Sequence, residues 1–248
     1  MKRIALSFLL VFIILGCAAK NDNAFQSHYK MGLAYLNTDK DYMAIREFEK
    51  ALKFKPNDAQ THYAIATFYL KHNKLLKAQK YLKKAIELDP SDSDYHNAYA
   101  STLASLGNVD EAVKQWKIVI EDPGYPNHDM VYYNMGYSLY EKGRYDRALE
   151  YFRKAVETNK GFMSPYMYMY RIYKAWGEHD KGIDILEKAL KRNPVFLPAK
   201  LELGKYYYNQ NKYAQAAKIM EEIIELQPDS EEAKTAASYL KKMGLYYE

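Results

Sequence analysis

Small side chains return along this chain every thirty-four residues: Gly32, Ala66 and Ala100 form one series, and Ala44, Ala78 and Ala112 run parallel to it. Large apolar residues surround them at helical spacing. In the stretch beginning at Asp129, Tyr132, Met135, Leu139 and Phe152 hold the fourth, seventh, eleventh and twenty-fourth places. A 3.6-residue period in two short segments separated by turn formers predicts pairs of amphipathic helices. One pair cannot bury its own apolar faces, so the pattern predicts a stack of pairs. The rhythm slips once. Across "EDPGYP", residues 121–126, the interval becomes thirty-six (Ala100 to Gly136, Ala112 to Ala148), and thirty-four then resumes through Tyr170 and Gly204.

The first unit carries Met31, Gly32, Tyr35, Ala44, Phe48, Ala51 and Pro56, and further units begin at Ala59, Ser93, Asp129, Met163 and Leu197. This spacing resembles the tetratricopeptide pattern. The resemblance implies an all-α superhelical solenoid of six helix-turn-helix repeats, with Gly or Ala at the eighth and twentieth positions where the two helices cross. Residues 25–126 make repeats one to three, 127–128 an inserted joint, and 129–230 repeats four to six. Residues 231–248 form a capping helix with Ala233, Ala236, Ala237, Leu240 and Met243 on one face. Pro123 and Pro126 cannot continue a helix, so the joint is expected to restart the array in a new orientation. Repeat five alone has a bulky eighth residue, Tyr170, and alone has Gly182 at the twentieth. If these positions face each other, the pair is a size exchange.

Ahead of the repeats, "MKRIALSFLLVFIILGC" joins a basic start, Lys2 and Arg3, to an apolar run from Ile4 to Leu15. A run of about a dozen residues suits a secretory leader and falls short of the ~20 that span a bilayer. "ILGC" resembles a bacterial lipobox, which implies cleavage after residue 16 and lipidation of Cys17, followed by a short tether over 17–24. Ala18, rather than the Asp of inner-membrane retention signals, implies an outer-membrane, periplasm-facing location. Cys17 is the only cysteine, so no disulfide is available. Removing the leader leaves 34 basic against 31 acidic side chains, too even a balance to point to nucleic acid.

No phosphate-cradling glycine loop, G-x-S-x-G elbow or cysteine-based zinc cluster occurs in the sequence, so neither an enzyme nor a cofactor is expected. His28, His62 and His96 recur at the fourth repeat position. Equivalent positions on stacked helices lie 8–10 Å or more apart, too far for three ligands each ~2 Å from one zinc, and packing roles are expected instead.

Candidate chemistry is therefore protein recognition. In repeat four, Tyr133, Tyr137 and Tyr140 form a second stripe beside the packing residues. The tetratricopeptide resemblance places it on the concave surface, with Tyr29, Leu33 and Leu36 in repeat one and Tyr63 and Leu70 in repeat two. Met167, Leu201 and Tyr208 extend it, Arg171, Lys174 and Lys205 make the far end basic, and Asn97, Ser101, Ala104 and Ser105 make repeat three small and polar. Such a groove matches a peptide with aliphatic anchors and an acidic stretch. The Lys and Asn pair of chaperone-binding tetratricopeptides is missing.

The leader, the tether, six repeats and the Tyr125-Pro126 step together resemble the PilF/PilW/Tgl type of type IV pilus lipoprotein. That resemblance implies a pilotin, a membrane-anchored adaptor that binds outer-membrane secretin subunits and promotes their placement and multimerisation. The other role such a chain could fill is a scaffold for a different envelope machine, in peptidoglycan remodelling or outer-membrane protein assembly.

Overall fold

A computed structural model describes residues 21–245. The leader and Cys17 lie outside the described residues. Helix α1 covers 21–36. After it come α2 (Asp41–Phe54), α3 (Ala59–Lys71), α4 (Leu75–Leu88), α5 (Ser93–Ser105), α6 (Val109–Glu121), α7 (His128–Glu141) and α8 (Tyr145–Thr158). Then follow α9 (Met163–Ala175), α10 (His179–Arg192), α11 (Leu197–Asn209), α12 (Tyr213–Leu226) and α13 (Glu231–Lys242). No strand occurs among the described residues. Within each of two units successive helices pack on one another as all-α tetratricopeptide pairs, the odd helices up to α11 being the first of each pair. The chain divides into two compact units, one reaching Tyr125 and one starting at Pro126.

The helix ends follow from local chemistry. Inside every repeat the turn between the two helices needs one left-handed residue, supplied by Asp39, Asn73, Gly107, Gly143, Gly177 and Asn211 at φ of 53° to 87°. These are the three residue types that tolerate positive φ at least cost. The Asp58 carboxylate caps α3 by accepting from the Thr61 amide at 2.9 Å, Asp92 caps α5, and Ser230 caps α13. Between repeats the connector has four residues, as in 55–58 and 159–162, except at 122–127, where it has six. In this longer connector Asp122 accepts hydrogen bonds from the Gly124 amide and from the Ser93 hydroxyl, and Asn97 donates to the Tyr125 hydroxyl at 3.0 Å. Those bonds tie the turn through Tyr125 to α5, and Pro126 and Asn127 are the additional residues.

Alanine at the twentieth position is buried throughout, at Ala44, Ala78, Ala112, Ala148 and Ala216. The eighth position is small because the residue at the twenty-fourth fills the space above it. A Cβ on Gly32 would come within 2.6 Å of the Phe48 ring, and one on Gly136 within 2.8 Å of Phe152. Burying such a ring contributes roughly 2–3 kcal/mol, which is the physical return on the missing methyl. Repeat five inverts this arrangement. There a Cβ on Gly182 would meet Tyr170 Cδ2 at 3.3 Å, so the expected exchange of sizes between the two helices is real.

The start of the array differs from expectation. Helix is already formed at residue 21, so residues 21–24 belong to α1 and not to a tether. Asp22 pairs with Lys55, whose ammonium lies over the Phe25 ring at 4.7 Å, and these contacts hold the first turn. At the other end, Ala233, Ala236 and Leu240 of α13 are buried against Met220 and Ile223 of α12, with Met243 partly buried beside them.

Candidate functional site

In the first unit, Tyr29, Leu33, Leu36 and Tyr63 converge on one open cavity of about 290 Å³, with Ala64 and Phe68 in its wall. Tyr29 and Leu33 sit four residues apart on α1, and Leu36 is one turn further. The cavity exists because position six of the next repeat is Ala64, too small to fill it. Asp41 and Lys71 close one edge as an ion pair at 2.8 Å, and Lys71 holds the Asp41 carboxyl below the usual carboxylate range. Leu70 is half-buried and lies outside the lining. The polar third repeat spends its groups internally: Asn97 accepts from the Trp116 indole at 3.0 Å while donating to Tyr125, and Ser101 and Ser105 donate to carbonyls one turn back.

In the second unit the expected stripe is a continuous aromatic face. Tyr133 and Tyr137 stack with centroids 6.0 Å apart, and Tyr168, absent from the sequence-based set, stands edge-on to Tyr133, Tyr137 and Tyr140 at 5.9, 5.4 and 5.1 Å. Tyr168 also stacks on the buried Phe152 at 5.3 Å, and the Arg171 guanidinium lies 5.0 Å over its ring. Tyr145 and Trp176 continue the face beyond Tyr140. Tyr137 and Trp176 are 38% and 39% exposed, so the face is open to a partner. Tyr133 is different. It packs on Phe152 and Phe162, and burial, with a hydrogen bond to Tyr168, pushes its hydroxyl up to about 12. Tyr133 therefore anchors the face while Tyr137 presents it.

The far end departs from the sequence-based expectation in two ways. Leu201 is buried in the core formed with Leu197, Met220 and Leu240, because α13 packs against α11 and α12, and it offers nothing to a ligand. The basic end is partly neutralised. Lys174 and Lys205 both donate to Glu202, at 3.0 and 2.9 Å, and the Tyr170 hydroxyl donates to the same carboxylate at 2.7 Å. Burial alone would raise the Glu202 carboxyl, but the bonds from Lys205, Tyr170 and Lys174 outweigh it and hold the group at about 2. Tyr208 is covered in part by Tyr239 and Tyr213, and Met167 is half-buried.

Each recurring histidine has its own surroundings. His28 Nδ1 meets Glu47 at 2.6 Å and His96 Nδ1 meets Gln115 at 2.7 Å, while His62 Nε2 donates to the Pro56 carbonyl at 2.8 Å. Among the described residues no three potential ligands lie together as a metal site, and no helix is long and apolar enough to cross a membrane.

Helical pairs with this spacing, packed this way, define a repeat scaffold for protein interaction, and the chain belongs to the tetratricopeptide repeat family. Models of that repeat match residues 25–58, 44–102, 130–162 and 173–239. Among solved structures it resembles Pseudomonas aeruginosa PilF, at 21% identity and a TM-score of 0.62, over 87% of this chain and 97% of that one. It also resembles PilW, described as a widely conserved type IV pilus biogenesis factor, at 20% identity and TM-score 0.61, over 85% and 97%. A third likeness is to the MamA protein, at 21% identity and TM-score 0.65, over 70% and 93%. No curated protein matches the sequence. At these identities the likenesses establish the fold.

Proposed function

We propose that the chain is a non-enzymatic, outer-membrane-anchored adaptor of the pilotin type, lipidated at Cys17 and facing the periplasm. In this role it binds secretin subunits and promotes their localisation and multimerisation in type IV pilus biogenesis. The open aromatic face of repeats four and five carries the reading. Aromatic surface beyond what the core uses, centred on Tyr137 and Tyr168 and edged by Arg171, has the composition of a protein-binding hot spot. Likeness to PilF and PilW along both units, and the lipobox-like segment before the repeats, support the choice of partner and place.

The test keeps Tyr133, which the core needs, and changes its neighbours. A chain with Tyr137→Ser and Tyr140→Ser should melt near wild type yet lose well over tenfold in secretin binding, since hot-spot aromatics carry about 2 kcal/mol or more each. Secretin multimers in cells should fall in parallel. Wild-type multimer levels in that variant would remove the aromatic face from the mechanism.

A further inference from the structure

Away from the aromatic face, the first two repeats enclose a second cavity, of about 450 Å³, on the side of the second helices. Its walls are Leu52 of α2, His62 of α3, and Tyr81, Lys80, Lys83 and Lys84 of α4. Comparison among the repeats shows why it is there. At the fourth position stand His28, His62 and His96, and at the twenty-third stand Glu47, Tyr81 and Gln115. In repeats one and three the histidine Nδ1 meets the side-chain oxygen of the twenty-third residue, at 2.6 and 2.7 Å. In repeat two that residue is Tyr81, whose ring lies tilted against His62 with centroids 5.8 Å apart. The His62 Nδ1 is consequently buried without a hydrogen-bond partner. An acidic or amide oxygen that the other two repeats build in is missing here, and lysines surround the gap.

The second unit has a cavity of the same size at the corresponding place, between repeats four and five. Val156, Tyr166, Ile185 and Lys188 occupy the repeat positions of Leu52, His62, Tyr81 and Lys84. Lys191 and Arg192 stand at its rim, together with Arg153, which donates to the Tyr173 hydroxyl, and Glu157, the one acid in the lining. Part of the charge is already answered: Lys84 lies 3.4 Å from Glu87, and Lys188 lies 2.6 Å from Asp184. Among the described residues, Lys80, Lys83, Lys191 and Arg192 have no acidic partner in an ion pair. Two cavities with an apolar floor and an unanswered cationic rim thus recur at one register of the repeat, one in each unit.

We propose that each cavity holds an acidic side chain of a protein partner, its carboxylate met by Lys80 and Lys83 in the first unit and by Lys191 and Arg192 in the second. An apolar neighbour of that acid lies on the Leu52 and Tyr81 floor, or on Val156 and Ile185. Charge complementarity selects the acid, and a walled cavity with an apolar floor selects a protruding side chain over a flat charged surface. None of these residues belongs to the aromatic face, so the two surfaces can fail independently.

The experiment titrates the full chain with a labelled synthetic peptide of Glu, Leu and Gly, and with the same peptide carrying Gln for Glu. Wild type should bind two acidic peptides per chain, with an affinity that weakens as salt screens the contact. Lys80→Glu with Lys83→Glu, or Lys191→Glu with Arg192→Glu, should each reduce this to one, and all four changes to none. The corresponding Gln variants guard against loss through misfolding and should show the same losses with unchanged melting. Tyr137→Ser with Tyr140→Ser should retain both sites, as should Lys241→Glu with Lys242→Glu on α13, which alters net charge elsewhere. Equal binding of the Gln peptide, or two sites surviving in the four-residue variant, would overturn the proposal. So would a chain that ignores the peptide but binds phosphatidylglycerol vesicles through these same residues, which would make the rim a lipid contact.

Discussion

Alanine placed at the three helix-crossing glycines Gly136, Gly204 and Gly182 should not give one common result, because the neighbour above each glycine differs in its distance and its freedom to move. In a helix interior, glycine to alanine is intrinsically favourable by about 1 kcal/mol, and overpacking opposes it by about 1–3 kcal/mol. At Gly136 the new methyl would lie 2.8 Å from two atoms of the Phe152 ring and 3.2 Å from the Ala148 carbonyl oxygen. That ring is fully buried, stacked on Tyr168 and tilted against Tyr133, so it has nowhere to go. Gly136→Ala should therefore destabilise by about 1–2 kcal/mol net. At Gly204 the contact is shorter, 2.7 Å, but it is to the terminal methyl of Met220, the far end of a flexible chain. Gly204→Ala should be near neutral. At Gly182 the nearest atom is Tyr170 Cδ2 at 3.3 Å, and alanine should again be near neutral. Leucine there must displace the tyrosine ring, which the bond to Glu202 holds in place, and should cost about 1–3 kcal/mol. Adding Tyr170→Ala should return much of that loss, through a coupling of about 0.5–3 kcal/mol. A repeat array need not melt in one step, so thermal melting should be paired with hydrogen exchange over α7 to α12. If Gly204→Ala proves as costly as Gly136→Ala, distance alone governs and the argument from neighbour mobility fails. Additive effects of Gly182→Leu and Tyr170→Ala would mean that the ring does not fill the space above Gly182.

Three further outcomes are expected. Cys17→Ala should leave the repeats folded while shifting the chain out of the outer-membrane fraction, and unchanged fractionation would refute the anchor. Truncating Tyr132, Met135 and Leu139 to alanine should unfold repeat four, in contrast to the Tyr137 and Tyr140 changes, as read by hydrogen exchange over α7 and α8. The Glu202 carboxyl is lowered from 4.5 to about 2, so its contribution is present above pH 4.5 and lost as pH falls towards 2. That contribution is at most about 3 kcal/mol and nearer 1–2 after solvent screening at the exposed Lys174. The stability gap between wild type and Glu202→Gln should thus close on acidification, and a gap independent of pH would show that the bonds to Glu202 do not set its pKa.

Helix pairing, repeat boundaries and the Tyr170–Gly182 exchange were legible because each rests on side-chain size at a fixed register. Tyr168 and Glu202 were not, and both stand at position six of their repeats. The groove pattern was read at positions five, nine and twelve of each helix, whereas position six turns back onto the repeat before it. Alanine there opens the cavity beside Tyr63; tyrosine there fills the same place with a ring; glutamate there neutralises two lysines. One helix read in isolation does not display that contact. Leu201 escaped for a related reason: the capping helix was expected, but its packing onto α11 at Leu201 as well as onto α12 is a contact that neither helix displays alone. The left-handed turn residues at position fifteen of every repeat were not singled out from the sequence, because the shared requirement for positive φ is hidden behind three residue types, Asp, Asn and Gly.

An array of like units has an inherent directionality: the surface that receives the next unit is present on the last one too, and if left bare it would invite a second molecule end to end. Such head-to-tail contacts do not close on themselves and lead to open fibres. Helix α13 answers this with an inner face of Ala233, Ala236 and Leu240 and an outer surface carrying Lys234, Lys241 and Lys242. It uses the receiving surface once and offers no copy of it. Among the described residues the array thus stops at a charged face, and an end-to-end contact through the outer side of α13 would have to bury lysines.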